Sequence, residues 1–232
     1  MALILNIDTA LDTATISLAE NGKVLVSAEN EKQKDHAAWL QPAIKDLLAQ
    51  SGHNIPDLQA IGVSVGPGSY TGLRIGLSSA KGMCYALNIP LIAETSLKIL
   101  ALSAANYLEE QEAGSDYGNL LLCPMIDARR MEVFTAIYSA NLQEVQEPQA
   151  LILNANSFQD ILERQKMLFL GNGSLKFQPI CQNAHAIFRK IPSKPIALAW
   201  LTYRNFIGNN FADLAYMEPL YLKEFFSKER AK

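Results

Sequence analysis

The stretch Gly66-Pro67-Gly68-Ser69-Tyr70-Thr71-Gly72-Leu73-Arg74-Ile75-Gly76 holds the densest candidate chemistry in the chain. It follows an apolar, β-like run, Ala60 to Val65, and opens a helical pattern that continues to about Ala86. A strand, a glycine-rich turn and a helix in that order can build a phosphate site, because backbone N–H groups at the turn and the helix N-terminus then face the anion. The spacing fits neither common phosphate motif. No Gly-Lys-Ser/Thr follows, and Gly66, Gly68 and Gly72 are spaced one residue too long for G-x-G-x-x-G. Two readings stay open: a phosphate cradle on Gly66 and Gly68, or a tight turn that launches a helix. Overlapping it, Gly62-Val63-Ser64-Val65-Gly66 matches the G-x-S-x-G nucleophile elbow, which needs its serine on a sharp turn between strand and helix. Ser64 falls inside the apolar run instead, and His185 is the only histidine downstream, so an ordinary strand serine is the better reading.

Asp8 and Asp127 each close an apolar run, where an acid can hold a metal–nucleotide or simply cap a turn. Arg129-Arg130 could bind phosphate, although a two-charge run is usually a solvated face. His36, His53 and His185 are scattered, and Cys84, Cys123 and Cys181 are far apart without a CxxC pair, so neither a metal site nor a disulfide framework is expected. The 232 residues carry a net charge of −3 with no long basic block, so a grip on nucleic acid would need a partner's surface. The N-terminus lacks a basic n-region and no run approaches the ~20 apolar residues of a membrane helix, which predicts a cytoplasmic protein.

Strands and helices around these residues are legible from pattern and turn chemistry. Leu3 to Ile7 and Thr13 to Ala19 are strands, and Asn21-Gly22 before Val24-Leu25-Val26 is a hairpin signal, since a type I′ turn needs φ > 0 at both central positions. A helix capped by Asp35 runs to about Gln50, with Leu40, Ile44, Leu47 and Leu48 on one face and Gly52 past its end. Pro42 should kink or break it. Trp39 lies off the stripe, either edging the same core or starting a second surface. In the next helix Gly72, Gly76 and Ala80 form a smooth ridge. Glycine costs ~1 kcal/mol against alanine there, which calls for close approach of another helix or backbone. A short strand at Leu91-Ile92-Ala93 and a helix from about Ser96 to Leu108 come next. The acidic, polar Glu109 to Gly118 suggests a lobe boundary, giving lobes 1–108 and 109–232. Leu120 to Ile126, Met131 to Tyr138, a turn at Ser139-Ala140-Asn141 and a strand to Val145 repeat the opening pattern: strand, Asp, strand, turn at an Asn 13 or 14 residues after the Asp, strand. Met167 to Leu170 is a strand closed by Gly171-Asn172-Gly173, with Ser174 able to cap the segment after it. Ser193 and Pro195 open a strongly apolar helix to about Ile207, a segment (about 195–208) expected to pack back on the first lobe.

The glycine-rich stretch with Ala80-Lys81-Gly82 behind it resembles the signature of the TsaB/YeaZ family. Ile7-Asp8-Thr9, Gly52, Pro90-Leu91, Ile126-Asp127-Ala128-Arg129-Arg130 with Glu132-Val133, and Pro219-Leu220-Tyr221-Leu222 fit the same family in order. The resemblance implies an α/β, two-lobed actin/sugar-kinase/Hsp70-like (ASKHA) fold, each lobe a mixed β-sheet flanked by helices. It implies a non-catalytic subunit that binds and activates the paralogue TsaD and helps recruit the ATPase TsaE. That complex places a threonylcarbamoyl group on the adenosine beside the anticodon of ANN-decoding tRNAs. Positions of the His-x-x-x-His metal motif of TsaD fall on Ser96, a poor ligand, and Leu100, which is none. Further implications are no cofactor of its own, with ATP or ADP only at a partner interface, tRNA contact through the complex, and a homodimer when alone. The implied partner surface comprises Trp39, Leu40, Ile44, Thr71, Gly72, Ile75, Gly76, Ser79 and Ala80, and a vestigial nucleotide site Asp8, Gly66 and Gly68. The rival reading is an active ATP-dependent enzyme of the same fold, using Asp8 and the glycine loop.

Overall fold

Apolar alternation and turn chemistry fold this chain into two five-stranded mixed sheets of one topology. A computed structural model describes residues 2–32, 35–111 and 119–223. The first sheet is built from β1 (Leu3–Asp8), β2 (Ala14–Glu20), β3 (Lys23–Asn30), β4 (Ala60–Ser64) and β5 (Leu91–Glu94), ordered β3-β2-β1-β4-β5. β1, β2 and β3 are antiparallel neighbours, and β4 and β5 add in parallel. The β2–β3 turn is at Asn21 (φ 48°) and Gly22 (φ 80°), both left-handed as a type I′ turn requires.

The second sheet repeats the plan with β6 (Leu121–Asp127), β7 (Glu132–Ser139), β8 (Glu144–Ile152), β9 (Met167–Leu170) and β10 (Ala186–Phe188), ordered β10-β9-β6-β7-β8. The duplication read from two hairpins thus extends to every strand of both sheets. In each half the strand after the hairpins ends in a Gly-x-Gly-Ser loop, at Gly66 to Ser69 and at Gly171 to Ser174. The strand expected to stop at Val145 continues to Ile152, and Ser174 does not cap. Its hydroxyl donates to the Gly171 carbonyl at 2.8 Å.

Helices α1 (His36–Ser51) and α2 (Tyr70–Leu87) cover one region of the first sheet. Leu40, Ile44, Leu47, Leu48, Leu77 and Cys84 enter a core with Leu5, Ile7, Ile16 and Val63. Pro42 neither ends nor interrupts α1, because it and Ala38, whose carbonyl loses its partner, are both solvent-exposed. Asp35 occupies the cap position without a side-chain cap, while Gly52 closes α1 at φ 74°. Helix α3 (Ser96–Gln111) runs against β6 and is buried on most sides. Of the stretch Glu109 to Gly118, Glu109 to Gln111 end α3 and residues 112–118 lie outside the described residues, as does the charged terminus after Lys223. Two one-turn helices, α4 (Gln159–Leu162) and α5 (Ser174–Phe177), belong to the second sheet. Helix α6 (Pro195–Ile207) then returns to contact all five strands of the first sheet, packing Leu198 and Leu201 on Ile99 and Leu102 of α3. Among the described residues no helix is long and apolar enough to cross a membrane.

Candidate functional site

The glycine loop starts where β4 ends. Gly66 has φ +105°, a conformation only glycine adopts freely. Ser69 then caps α2, its hydroxyl accepting the Gly72 N–H at 3.3 Å, and its own N–H donates to the Ala10 carbonyl at 2.7 Å. A Cβ on Gly68 would collide with the Ala10 carbonyl oxygen, one on Gly72 with the Thr9 carbonyl oxygen, and one on Gly76 with Thr9 Oγ1, all well under 3.0 Å. Thr9 Oγ1 donates to the Gly72 carbonyl at 2.7 Å. The glycines therefore admit the chain's own β1–β2 turn. That turn sets the Ala10 carbonyl oxygen against Gly68, while Gly66 faces Leu73 and the Leu220 carbonyl.

This locates the ridge. Gly72, Gly76 and Ala80 face inward onto β1 and its turn, and Leu40 and Ile44 are core residues only 0% and 2% exposed. Those five positions, expected on the partner surface, are occupied by the chain itself. Trp39, Ile75 and Ser79 are half-buried and Thr71 is exposed, so they keep a solvent-facing side. Trp39 packs on the core edge and also lines a shallow hollow of about 230 Å³ with Pro42, Asp46 and Gln50.

The outward stripe of α2 instead reads Thr71, Ile75, Ser78, Gly82 and Tyr85, flanked by Ser79 and Met83. Gly82 has nothing within 4 Å of where its Cβ would stand. Beside it α1 exposes Ala37, Ala38, Gln41 and Pro42. The partner surface read from the sequence left out Ser78, Gly82 and Met83, although Gly82, quoted only with the family signature, is a third glycine of this helix, off the inward ridge.

The other flank of α2 is covered by the chain end. The Ala212 N–H donates to the Leu91 carbonyl at 2.8 Å, and Lys81 Nζ donates to the carbonyls of Ala215 and Met217 at 3.1 and 3.0 Å. The Leu220 N–H reaches the Val65 carbonyl at 2.7 Å. Arg74 Nε donates to the Tyr221 hydroxyl at 3.0 Å while its guanidinium lies 4.0 Å from the Tyr70 ring centroid. Lys223 pairs with Glu132 in the second half.

Asp8 is buried, its Oδ1 accepting the Ala10 N–H at 3.1 Å. Burial pushes its carboxyl above the usual range, against the lowering effect of the Ala10 N–H and the Ser64 hydroxyl. Ser64 in turn shares a 2.9 Å hydrogen bond with Ser96, and both are sealed from solvent, so Ser64 is not presented as a nucleophile. Leu100 is likewise core. Because the folded-state pKa of Asp8 lies above its unfolded value of ~3.9, its contribution is full below that value and is lost as pH rises through the folded pKa. Asp8→Asn is therefore expected to narrow the loss of stability on going from pH 4 to pH 8. Urea midpoints of both proteins across that range would show it, and parallel curves would rule it out.

The matching acid of the second half is different. Asp127 is exposed and takes Lys176 Nζ and the Arg129 N–H, both at 2.6 Å. Burial pushes its carboxyl up, but Lys176, as hydrogen-bond donor and as charge, and the Arg129 N–H outweigh it and hold it below the usual range. Arg129 (φ 69°) and Arg130 (φ 47°) are both left-handed, which costs on the order of 1 kcal/mol each for non-glycine residues. Elsewhere a groove of about 670 Å³ lies where the β2–β3 hairpin meets the β7–β8 turn, with Leu142, Ile196, Trp200, Arg204, Glu109 and Glu110 among its lining. Among the described residues no three of His, Cys, Asp and Glu come together as a metal site would need.

A family model described as TsaD, tRNA N6-adenosine threonylcarbamoyltransferase, matches residues 23–199. The tRNA threonylcarbamoyladenosine biosynthesis protein TsaB of Bacillus subtilis is 33% identical over 172 residues, 73% of this chain and 70% of that protein. The chain belongs to the TsaB family. The TsaB protein of Escherichia coli is also 33% identical, over 58% of this chain and 54% of its own length. A solved structure titled YeaZ from Pseudomonas aeruginosa superposes with a TM-score of 0.78 at 23% identity, covering 96% of this chain and all of that one. The two-sheet architecture is thus that of YeaZ; of the TsaB residues quoted from the sequence, Leu220 bonds to Val65 beside the glycine loop, while Gly52 closes α1 and Leu91, after Pro90, opens β5.

Proposed function

We propose that this chain is a non-catalytic subunit in tRNA threonylcarbamoyladenosine biosynthesis. It docks on the catalytic paralogue TsaD through the outward faces of α1 and α2 and helps recruit TsaE. The observation that carries the reading is Gly82. Inside a helix it is costly by ~1 kcal/mol relative to alanine, and among the described residues no neighbour within 4 Å of its Cβ position explains it. A helix backbone from a partner, approaching within van der Waals distance, would. Around it Thr71, Ser78 and Ala38 keep the surface low, while Ile75, Met83 and Trp39 offer half-buried apolar anchors. The same faces on two copies would self-pair about a two-fold axis when TsaD is absent. That Ser96 and Leu100 stand within the core, where TsaD carries its metal motif, supports a retained fold without that chemistry.

Reconstitution tests it directly. With TsaD, TsaE, threonylcarbamoyl-adenylate and an ANN-decoding tRNA, modification is expected only when this chain is added. Full-rate modification without it would overturn the assignment.

A further inference from the structure

The β6–β7 turn spends conformational strain on two arginines. A hairpin needing left-handed residues is ordinarily filled by Asn-Gly, and this chain does so at Asn21-Gly22. At Arg129 and Arg130 it accepts the strain and presents two exposed guanidiniums. The neighbouring acids are already engaged, Asp127 by Lys176 at 2.6 Å and Glu132 by Lys223, and neither arginine has an ion pair among the described residues. The backbone beneath is fixed: the Ala128 N–H donates to the Glu132 carbonyl at 3.0 Å, the Glu132 N–H to the Arg129 carbonyl at 3.1 Å, and the Asp127 N–H to Asn172 Oδ1 at 2.9 Å. The equivalent turn of the first half, residues 9–13, carries no arginine or lysine: it buries Thr9 and Ala10 and exposes an acid, Asp12.

We propose that this tip grips the RNA phosphate backbone in the assembled complex, a role that rests on the proposed function. The guanidinium fork fits phosphate oxygens bidentately. A free nucleotide needs a concave site that buries most of it, whereas Arg129, Arg130 and Met131 all stand exposed at a hairpin end. A backbone running over the surface needs only such a tip. The chain as a whole is acidic, so the grip matters only where a partner supplies the rest of the footprint.

The test uses the complex with TsaD carrying Arg129→Asn and Arg130→Gly together, which restores favoured turn residues. Binding of labelled ANN-decoding tRNA is read by fluorescence anisotropy over a salt series. Affinity is expected to fall roughly tenfold at about 0.1 M salt, with the slope of log K against log salt reduced by about 1.5 to 2. Arg129→Lys with Arg130→Lys should keep most of the slope. The melting temperature of the doubly substituted chain should be unchanged or higher, and assembly with TsaD unaffected. Unchanged tRNA affinity and slope, loss of assembly instead, or loss of ATP binding with tRNA binding intact would each overturn the proposal. If the wild-type complex fails to form or to modify tRNA, the underlying reading falls and takes this one with it.

Discussion

Alanine at Gly72 is expected to lower the melting temperature of the isolated chain by roughly 10 °C. The added Cβ meets the Thr9 carbonyl oxygen, which belongs to backbone and cannot rotate aside. Relief requires moving α2 off β1, and that movement also stretches the 2.7 Å hydrogen bond from Thr9 Oγ1 to the Gly72 carbonyl. Overpacking of this kind costs up to about 3 kcal/mol and the hydrogen bond about 1 kcal/mol more. For a chain this long each 1 kcal/mol is worth about 2–4 °C. Differential scanning calorimetry would check it, and a shift below 2 °C would show that the turn yields. A side chain at Gly76 would likewise collide with Thr9 Oγ1 and is expected to destabilise the isolated chain, so a substitution there would not report on an interface alone.

Glutamine at Gly82 is expected to do the opposite to the chain and to break the complex. With no neighbour within 4 Å, a longer side chain meets no steric penalty, and replacing glycine by a good helix former should raise stability by about 0.5–1 kcal/mol. On the proposed surface the same side chain stands where a second helix would approach, and TsaD binding should weaken at least ~100-fold, with self-association weakened in parallel. Calorimetry of the isolated chain and titration with TsaD give the two readouts. A more stable chain that still binds TsaD normally would move the interface off α2. Gly72→Ala and Gly82→Gln, ten residues apart in one helix, are thus expected to carry opposite signs on stability.

The division between these two glycines is also where the sequence stopped being legible. Periodicity reveals that Gly72, Gly76 and Ala80 share a face, but it carries no information on whether that face meets the same chain or another. Leu40 and Ile44 suffered the same ambiguity, since an apolar stripe serves a core or a partner equally well, and here the core takes it. Local chemistry was readable where one residue type has one use. Asn21-Gly22 fixed a hairpin, Gly52 a helix end, Pro195 a helix start. The duplication was visible because Asp8 and Asp127 each close a first strand, yet their environments were not, because burial depends on what the glycine loop packs against. Strand β10 escaped notice as three half-buried residues, too short for alternation to register. Arg129 and Arg130 were visible as charges but not as a strained turn, which only their φ values disclose.

The chain passes between its two sheets more often than two lobes would require. It leaves the first sheet through α3, comes back as α6, and then lays residues 220–223 from Val65 across to Glu132. The mechanical consequence, among the described residues, is a body braced at more than one crossing. Proteins that close on a substrate need one pliable crossing; here, moving the sheets apart would have to part α6 from α3 and break the Lys223–Glu132 pair at once. Such a molecule is suited to be a splint, stiff enough that whatever settles on one end is held in register by the other.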